Sequence, residues 1–176
     1  MAEYLSQDDI VKALTSLSAE LSRSGSSHEL LITGGAALVL LYGARESTKD
    51  VDAVVSVEAV RVAARNVATK LGLPEDWLND GAKGFLHGIA RGEVVFQTPA
   101  LVVRALAPPQ LLAMKLGAWR DDLDIEDARL LLSKIEGGRE RVWEQVEPYL
   151  VPGRELKSQY AFEDLWGSEH ADSDTD

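Results

Sequence analysis

The sequence contains no cysteine, few aromatic residues and fewer basic than acidic side chains. The absence of cysteine excludes disulfides, thiolate nucleophiles, iron–sulfur clusters and cysteine-ligated zinc. With 18 lysines and arginines against 29 aspartates and glutamates, the 176-residue chain has a formal net charge of −11 at pH 7. General binding to a phosphate backbone requires clustered basic side chains. A nucleic-acid partner would therefore need a local basic patch.

Long apolar segments are missing as well. The longest apolar stretch, Ala36 to Tyr42, is far shorter than the ~20 residues that cross a bilayer. The first ten residues show neither the basic nor the apolar region of a secretory signal. We therefore expect a cytoplasmic protein with no membrane partner.

The remaining composition is that of a globular domain. Hydrophobic residues make up 45% of the chain and charged residues 27%, which are average values for a folded protein. We expect a single domain over residues 1–167. The segment 168–176 has four acidic residues and no lysine or arginine, so it is predicted to be a disordered acidic tail.

Hydrophobic periodicity predicts mixed helices and strands, followed by helices alone. A capping box at Ser6 and Asp9 introduces a helix over 7–23. Strands are predicted at 30–33, 49–56, 93–96 and 101–106, and further helices at 36–42, 57–71, 108–119, 124–135 and 139–150. This order indicates an α/β (α+β) fold. A small mixed β-sheet core at about 28–106 is flanked by helices, and a helical C-terminal part covers about 108–166.

Asp50 and Asp52 stand two positions apart on a predicted strand, so both carboxylates leave the same face. Two such carboxylates repel each other unless a cation lies between them. Oxygen ligands of this kind bind Mg²⁺ or Mn²⁺ when substrate phosphates complete the coordination. The alternative is a solvated face of an edge strand.

Gly34 and Gly35 lie at a predicted turn from a strand into a helix. Glycine allows backbone N–H groups to approach a phosphate at a helix N-terminus, where the helix dipole favours an anion. The alternative is a tight turn that requires a positive φ angle. The sequence around the pair matches neither GxGxxG nor the GK[ST] phosphate loop.

Taken in order, TGGAA (33–37), RESTKDVD (45–52) and LLAMKLGAWRDDLDIEDARLL (111–131) resemble the nucleotidyltransferase superfamily, which has the polymerase-β-like fold. The last segment is similar to the helical part of a minimal bacterial branch that includes toxin-type, AbiEii-like proteins. The resemblance covers residues 30–135 and depends on the combination of motifs.

The resemblance implies roles for individual positions. Asp50 and Asp52 would ligate the metals and act in catalysis together with Asp124, whose face Asp127 shares. Contacts to the nucleotide would come from two glycines, two hydroxyls and two cations: Gly34, Gly35, Ser47, Thr48, Lys115 and Arg120.

One departure concerns the third carboxylate, which in the superfamily usually comes from a later strand. Glu93 begins a predicted strand but lies at its edge, and the next strand offers only Arg104. The resemblance therefore implies that Asp124 takes this function from a helix, or that the chain binds nucleotide poorly.

The expected function is metal-dependent transfer of NMP from an NTP to an acceptor hydroxyl of RNA, such as tRNA, or of protein, with Mg²⁺ or Mn²⁺ as cofactor. The protein would be an enzyme and could act as the toxin of a toxin–antitoxin pair with an antitoxin partner. Two alternatives remain open: an aminoglycoside nucleotidyltransferase, and a non-catalytic binding or regulatory module. Arg61, Arg65 and Lys70 could form a basic rim for RNA or a solvated helix face.

Overall fold

The computed structural model describes residues 4–171, which form seven α-helices, seven β-strands and two short 3₁₀ helices. The helices are α1 (Gln7–Ser22), α2 (Gly34–Tyr42), α3 (Glu58–Leu71), α4 (Pro108–Ala118), α5 (Asp122–Leu132), α6 (Arg139–Val146) and α7 (Glu155–His170). The strands are β1 (Leu5–Ser6), β2 (His28–Thr33), β3 (Ser47–Thr48), β4 (Val51–Val54), β5 (Leu78–Asn79), β6 (Arg91–Gln97) and β7 (Leu101–Leu106). The 3₁₀ helices are Gly81–Phe85 and Glu147–Tyr149. The predicted α/β class with a small mixed sheet is confirmed.

The chain divides into two compact units. Unit 1 contains the described part of Met1–Lys83 together with Arg91–Leu106, and therefore all seven strands and the first three helices. Unit 2 contains Gly84–Ala90 and the described part of Ala107–Asp176, including the last four helices. The chain passes from unit 1 to unit 2 for the last time after Leu106.

A five-stranded mixed sheet in the order β5-β4-β2-β7-β6 is the centre of unit 1. β2 pairs antiparallel with β4 and parallel with β7, and β4 pairs parallel with β5. β1 and β3 form a separate antiparallel pair. The short strand β5 had no sequence signal, because two residues show no alternation.

The two faces of this sheet differ in chemistry. Ile32 lies opposite Ala53 on one side and Ala105 on the other, and all three are at most 4% exposed. Because successive side chains alternate, the neighbours of these residues point to the opposite face. There Thr33 lies opposite Asp52, so the polar face of the sheet carries the aspartate.

Local signals fix the helix ends in unit 1. The Ser6–Asp9 capping box is present, with the Ser6 hydroxyl accepting from the Asp9 N–H and the Asp9 carboxylate accepting from the Ser6 N–H. α2 ends at Gly43, whose φ of 57° is left-handed, a conformation that costs glycine little. The capping box and the end of α2 after residue 42 were both predicted from the sequence.

The predicted tail requires a correction within the described residues. α7 continues to His170, through the first residues of the segment 168–176. The His170 ring stacks on Trp166 at 4.0 Å, and Glu169 pairs with Arg129 at 2.8 Å. These contacts hold the last helical turn, and residues 172–176 lie outside the described part of the chain.

In the region 4–171, no helix has both the length and the apolar character that crossing a membrane requires.

Candidate functional site

The N-terminus of α2 faces the carboxylate of Asp52. Gly34 opens the helix with a φ of 63°, and a Cβ atom at this position would lie 2.9 Å from the Asp52 Oδ2 atom. Alanine would therefore meet both backbone strain and a steric clash. The register of β2 and β4 produces this approach, because Thr33 lies directly opposite Asp52.

Gly35 is crowded by two other side chains. A Cβ atom there would lie 2.5 Å from the Thr48 hydroxyl oxygen and 3.0 Å from a guanidinium nitrogen of Arg45. Thr48 is 7% exposed and donates its hydroxyl hydrogen to the Asp50 carbonyl oxygen at 3.3 Å. Ser47 instead pairs with Ser6 in the small sheet. Of the two predicted hydroxyl residues, Thr48 is the one against the glycine pair.

Asp50 lies in a bend just before β4 rather than on the predicted strand over 49–56. The chain bends here because β3 belongs to the other sheet. The Asp50 carboxylate accepts a hydrogen bond from the Asn79 side-chain amide at 2.9 Å. Asn79 lies on β5 in register with Asp52, so its side chain links the bend that carries Asp50 to the strand position beside Asp52.

The donor set fits a divalent cation that arrives with phosphate oxygens. Among residues 4–171, no group of three or more His, Asp or Glu side chains is arranged to hold a metal ion. Mg²⁺ usually keeps several waters and takes one or two carboxylates together with substrate phosphates. Asp50 and Asp52 supply that number of carboxylates, beside a helix N-terminus that favours an anion.

A second charged cluster lies in unit 2. The Lys115 ammonium is 2.8 Å from an Asp124 oxygen and 2.7 Å from an Asp127 oxygen. The side chains of Lys115, Asp124 and Asp127 are 14%, 3% and 5% exposed. Arg120 adds a further contact to Asp124 at 3.3 Å. The charge that Lys115 would offer to a phosphate is thus balanced by these two carboxylates.

The chain reversal between α4 and α5 builds this cluster. Trp119 ends α4 with a φ of 36°, the one left-handed non-glycine residue in the described range. The Asp121 side chain then caps α5 by accepting from the Asp124 N–H at 3.0 Å. This turn places Asp124 on the first turn of α5, facing the last turn of α4.

The environment of Asp124 lowers the pKa of its carboxyl group. Burial acts to raise the pKa, but the hydrogen bond and charge of Lys115 and the donors of Arg120 outweigh it. Asp124 is therefore a buried carboxylate that stays ionised.

The strand candidates for a third carboxylate do not join Asp52. Glu93 is exposed on β6, the edge strand of the sheet. Arg104 pairs with Glu29 at 3.4 Å, and Arg91 pairs with the same carboxylate at 2.7 Å. The position in register beside Asp52 is taken by Asn79.

The structure adds three residues that the sequence analysis did not assign to the site: Arg45, Asn79 and Gly81. A Cβ atom at Gly81 would lie 2.9 Å from the Asn79 side-chain oxygen. Arg45 lies within the motif that suggested the family. Asn79 and Gly81 reach the site because β5 pairs with β4, and this pairing leaves no local pattern in the sequence.

Comparisons of the chain with protein-family models, with curated proteins and with solved structures gave no match.

Proposed function

We propose that this protein is a divalent-metal-dependent nucleotidyltransferase that transfers NMP from an NTP to an acceptor hydroxyl. The approach of Asp52 to Gly34 carries the proposal. This approach places a carboxylate, which can ligate a cation, beside a helix N-terminus, which can bind a phosphate.

In the proposed reaction, the acceptor oxygen attacks the α-phosphorus and loses its proton to water. The bond from the α-phosphorus to the bridging oxygen breaks, and pyrophosphate leaves. Mg²⁺ bound with the triphosphate would polarise the phosphate and lower the pKa of the attacking hydroxyl. Asp50 and Asp52 would hold the cation, and the start of α2 with Arg45 would orient the phosphates.

Unit 1 alone provides the support for this proposal. Lys115, Arg120 and Asp124 were predicted to contact nucleotide or to act in catalysis, but they belong to unit 2. There they pair with one another, and Asp127 completes the balance of charge. Their use in the reaction remains a prediction.

A first experiment removes the two carboxylates. Asp50→Ala with Asp52→Ala should remove Mn²⁺-dependent NTP binding, measured by calorimetry, because the cation would lose both of its protein carboxylate ligands. The transfer of labelled NMP from an α-labelled NTP to bulk tRNA, to mixed cell protein or to an aminoglycoside should fall together with NTP binding.

The matched control is Glu140→Ala with Glu144→Ala, which removes two exposed carboxylates from α6. This control should bind NTP like the wild type. Binding that survives the loss of Asp50 and Asp52, or that needs no divalent cation, would rule the proposal out.

The second candidate is a non-catalytic nucleotidyltransferase-like module. It is favoured by the amide of Asn79 in the position beside Asp52 and by the balanced charge of Lys115. The same titration separates the two candidates, because a module of this kind would show no Mn²⁺-dependent binding of any NTP in the wild type.

A further inference from the structure

The side chain of Asn79 is fixed by three hydrogen bonds. Its amide nitrogen donates to the Asp50 Oδ2 atom at 2.9 Å and to the Asp76 carbonyl oxygen at 3.1 Å. Its side-chain oxygen accepts from the Gly81 N–H at 2.8 Å. The Gly81 donor determines which end of the amide is oxygen, so the nitrogen must face Asp50.

Position 79 therefore requires both a donor and an acceptor. An aspartate there would satisfy Gly81 with one oxygen, but its other oxygen would face two acceptors, Asp50 and the Asp76 carbonyl. Two carboxylates in contact cannot both remain ionised without a cation between them. Asparagine avoids this repulsion and orients Asp50.

We infer that Asn79 is a positioning residue that limits the site to two carboxylates, so that the divalent cation is held only together with the phosphates of the nucleotide. Mg²⁺ and Mn²⁺ need oxygen ligands beyond the two that Asp50 and Asp52 offer. The triphosphate supplies the missing oxygens. This inference rests on the proposed function, because it concerns the same site.

The test measures Mn²⁺ binding by calorimetry in the absence of nucleotide. The wild type should bind Mn²⁺ weakly at this site. Asn79→Asp should bind it at least 10-fold more tightly, because a third carboxylate now lies beside the other two. Its melting temperature should rise on addition of Mn²⁺, while that of the wild type should change little.

The matched control is Asn66→Asp, which makes the same chemical change on the exposed side of α3. This control should show the weak Mn²⁺ binding of the wild type, so a general effect of added charge is excluded. If Asn79→Asp gains no Mn²⁺ affinity over Asn66→Asp, the inference is wrong.

A second variant, Asn79→Ala, addresses the orienting hydrogen bond. It should bind Mn²⁺ with NTP about 10-fold more weakly than the wild type and gain nothing with Mn²⁺ alone. Undiminished binding of Mn²⁺ with NTP would overturn the positioning role. If the wild type binds no NTP, the proposed function is refuted. The inference about Asn79 can still be tested in that case, because Asn79→Asp and Asn66→Asp are compared with Mn²⁺ alone.

Discussion

Position 35 requires glycine because neighbouring side chains leave no room for a Cβ atom, and not because of its own backbone angles. Its φ lies outside the left-handed region, but the Thr48 hydroxyl oxygen and the Arg45 guanidinium occupy the space of a Cβ atom. Gly34 combines the two causes, since its φ is 63° and Asp52 lies against it. The tight-turn interpretation therefore fits Gly34, which has the positive φ angle, and the approach of a phosphate to the pair remains a prediction.

Gly35→Ala should destabilise unit 1 by about 1–3 kcal/mol, the usual cost of inserting a methyl group into a filled space. Urea unfolding and amide hydrogen exchange of β2 and β4 would measure the loss. The control is Gly167→Ala in α7, where nothing lies within 4 Å of the new Cβ atom. That substitution should stabilise its helix by about 0.5–1 kcal/mol. Equal stability of Gly35→Ala and the wild type would contradict the packing described for Thr48.

At the scale of elements, the α4–α5 hairpin depends on a buried ion cluster. Lys115 on α4 bridges Asp124 and Asp127 on α5, and both carboxylates are almost fully buried. Breaking a buried pair is costly because one charge is left without compensation. The acidic segment 121–127 thus includes two buried residues that join two helices.

Asp124→Asn should destabilise unit 2 at pH 7 by about 1.5–3 kcal/mol, the value of a hydrogen bond to a charged group. The pKa of Asp124 is lowered in the folded state, so its stabilisation is present above the unfolded pKa of about 4. It is lost as the pH falls through the lower folded-state pKa. Urea unfolding at several pH values should show that the difference in the free energy of unfolding between wild type and Asp124→Asn becomes smaller as the pH falls.

The control for this experiment is Asp122→Asn, an exposed aspartate on the same helix. It should change the free energy of unfolding by less than about 0.5 kcal/mol. If the free energies of unfolding of wild type and Asp124→Asn differ by the same amount at pH 3 and at pH 7, the charge of the Asp124 carboxylate contributes nothing to stability.

Elements with a strong local pattern could be predicted from the sequence, and short ones could not. The capping box at Ser6, the strand before Gly34 and the strand that carries Asp52 were all found from local residue types. Asp50 was placed on that strand as well, but it lies in the bend before it. Asn79 was missed, because its place in the site comes from pairing across the α3 crossover. The extent of α7 was missed because its last turn is held by contacts with Trp166 and Arg129 and not by composition.

For the whole molecule, the distribution of charge opposes general binding to nucleic acid. Arg61 pairs with Asp80 at 3.0 Å, and its hydrogen bond lowers the pKa of that carboxyl group. Arg65 pairs with Glu58 at 3.3 Å. Both arginines line a cleft of about 450 Å³ in unit 1 that also contains Glu75 and Asp76. Two of the three residues of the possible basic rim on α3 are therefore matched by acidic neighbours.

The chain should not bind bulk tRNA without sequence preference. Its net charge is −11, so the dissociation constant for bulk tRNA at physiological salt should be larger than about 10⁻⁴ M, the weakest value that is usual for non-specific binding. Filter binding at several salt concentrations would measure this, with a basic RNA-binding protein as positive control. Tight binding that weakens linearly with the logarithm of salt concentration would reveal a basic surface and contradict the prediction.

The position of β2 at the centre of the sheet has a consequence for synthesis of the chain. β2 hydrogen-bonds to β4 on one side and to β7 on the other. On the ribosome β4 is made soon after β2, but β7 is complete only at Leu106. Until then the nascent strand carries an open hydrogen-bonding edge, of the kind that pairs with other chains. A nascent chain that stalls between β5 and β7 should thus be more prone to aggregate, or to need a chaperone, than one that stalls at any other stage.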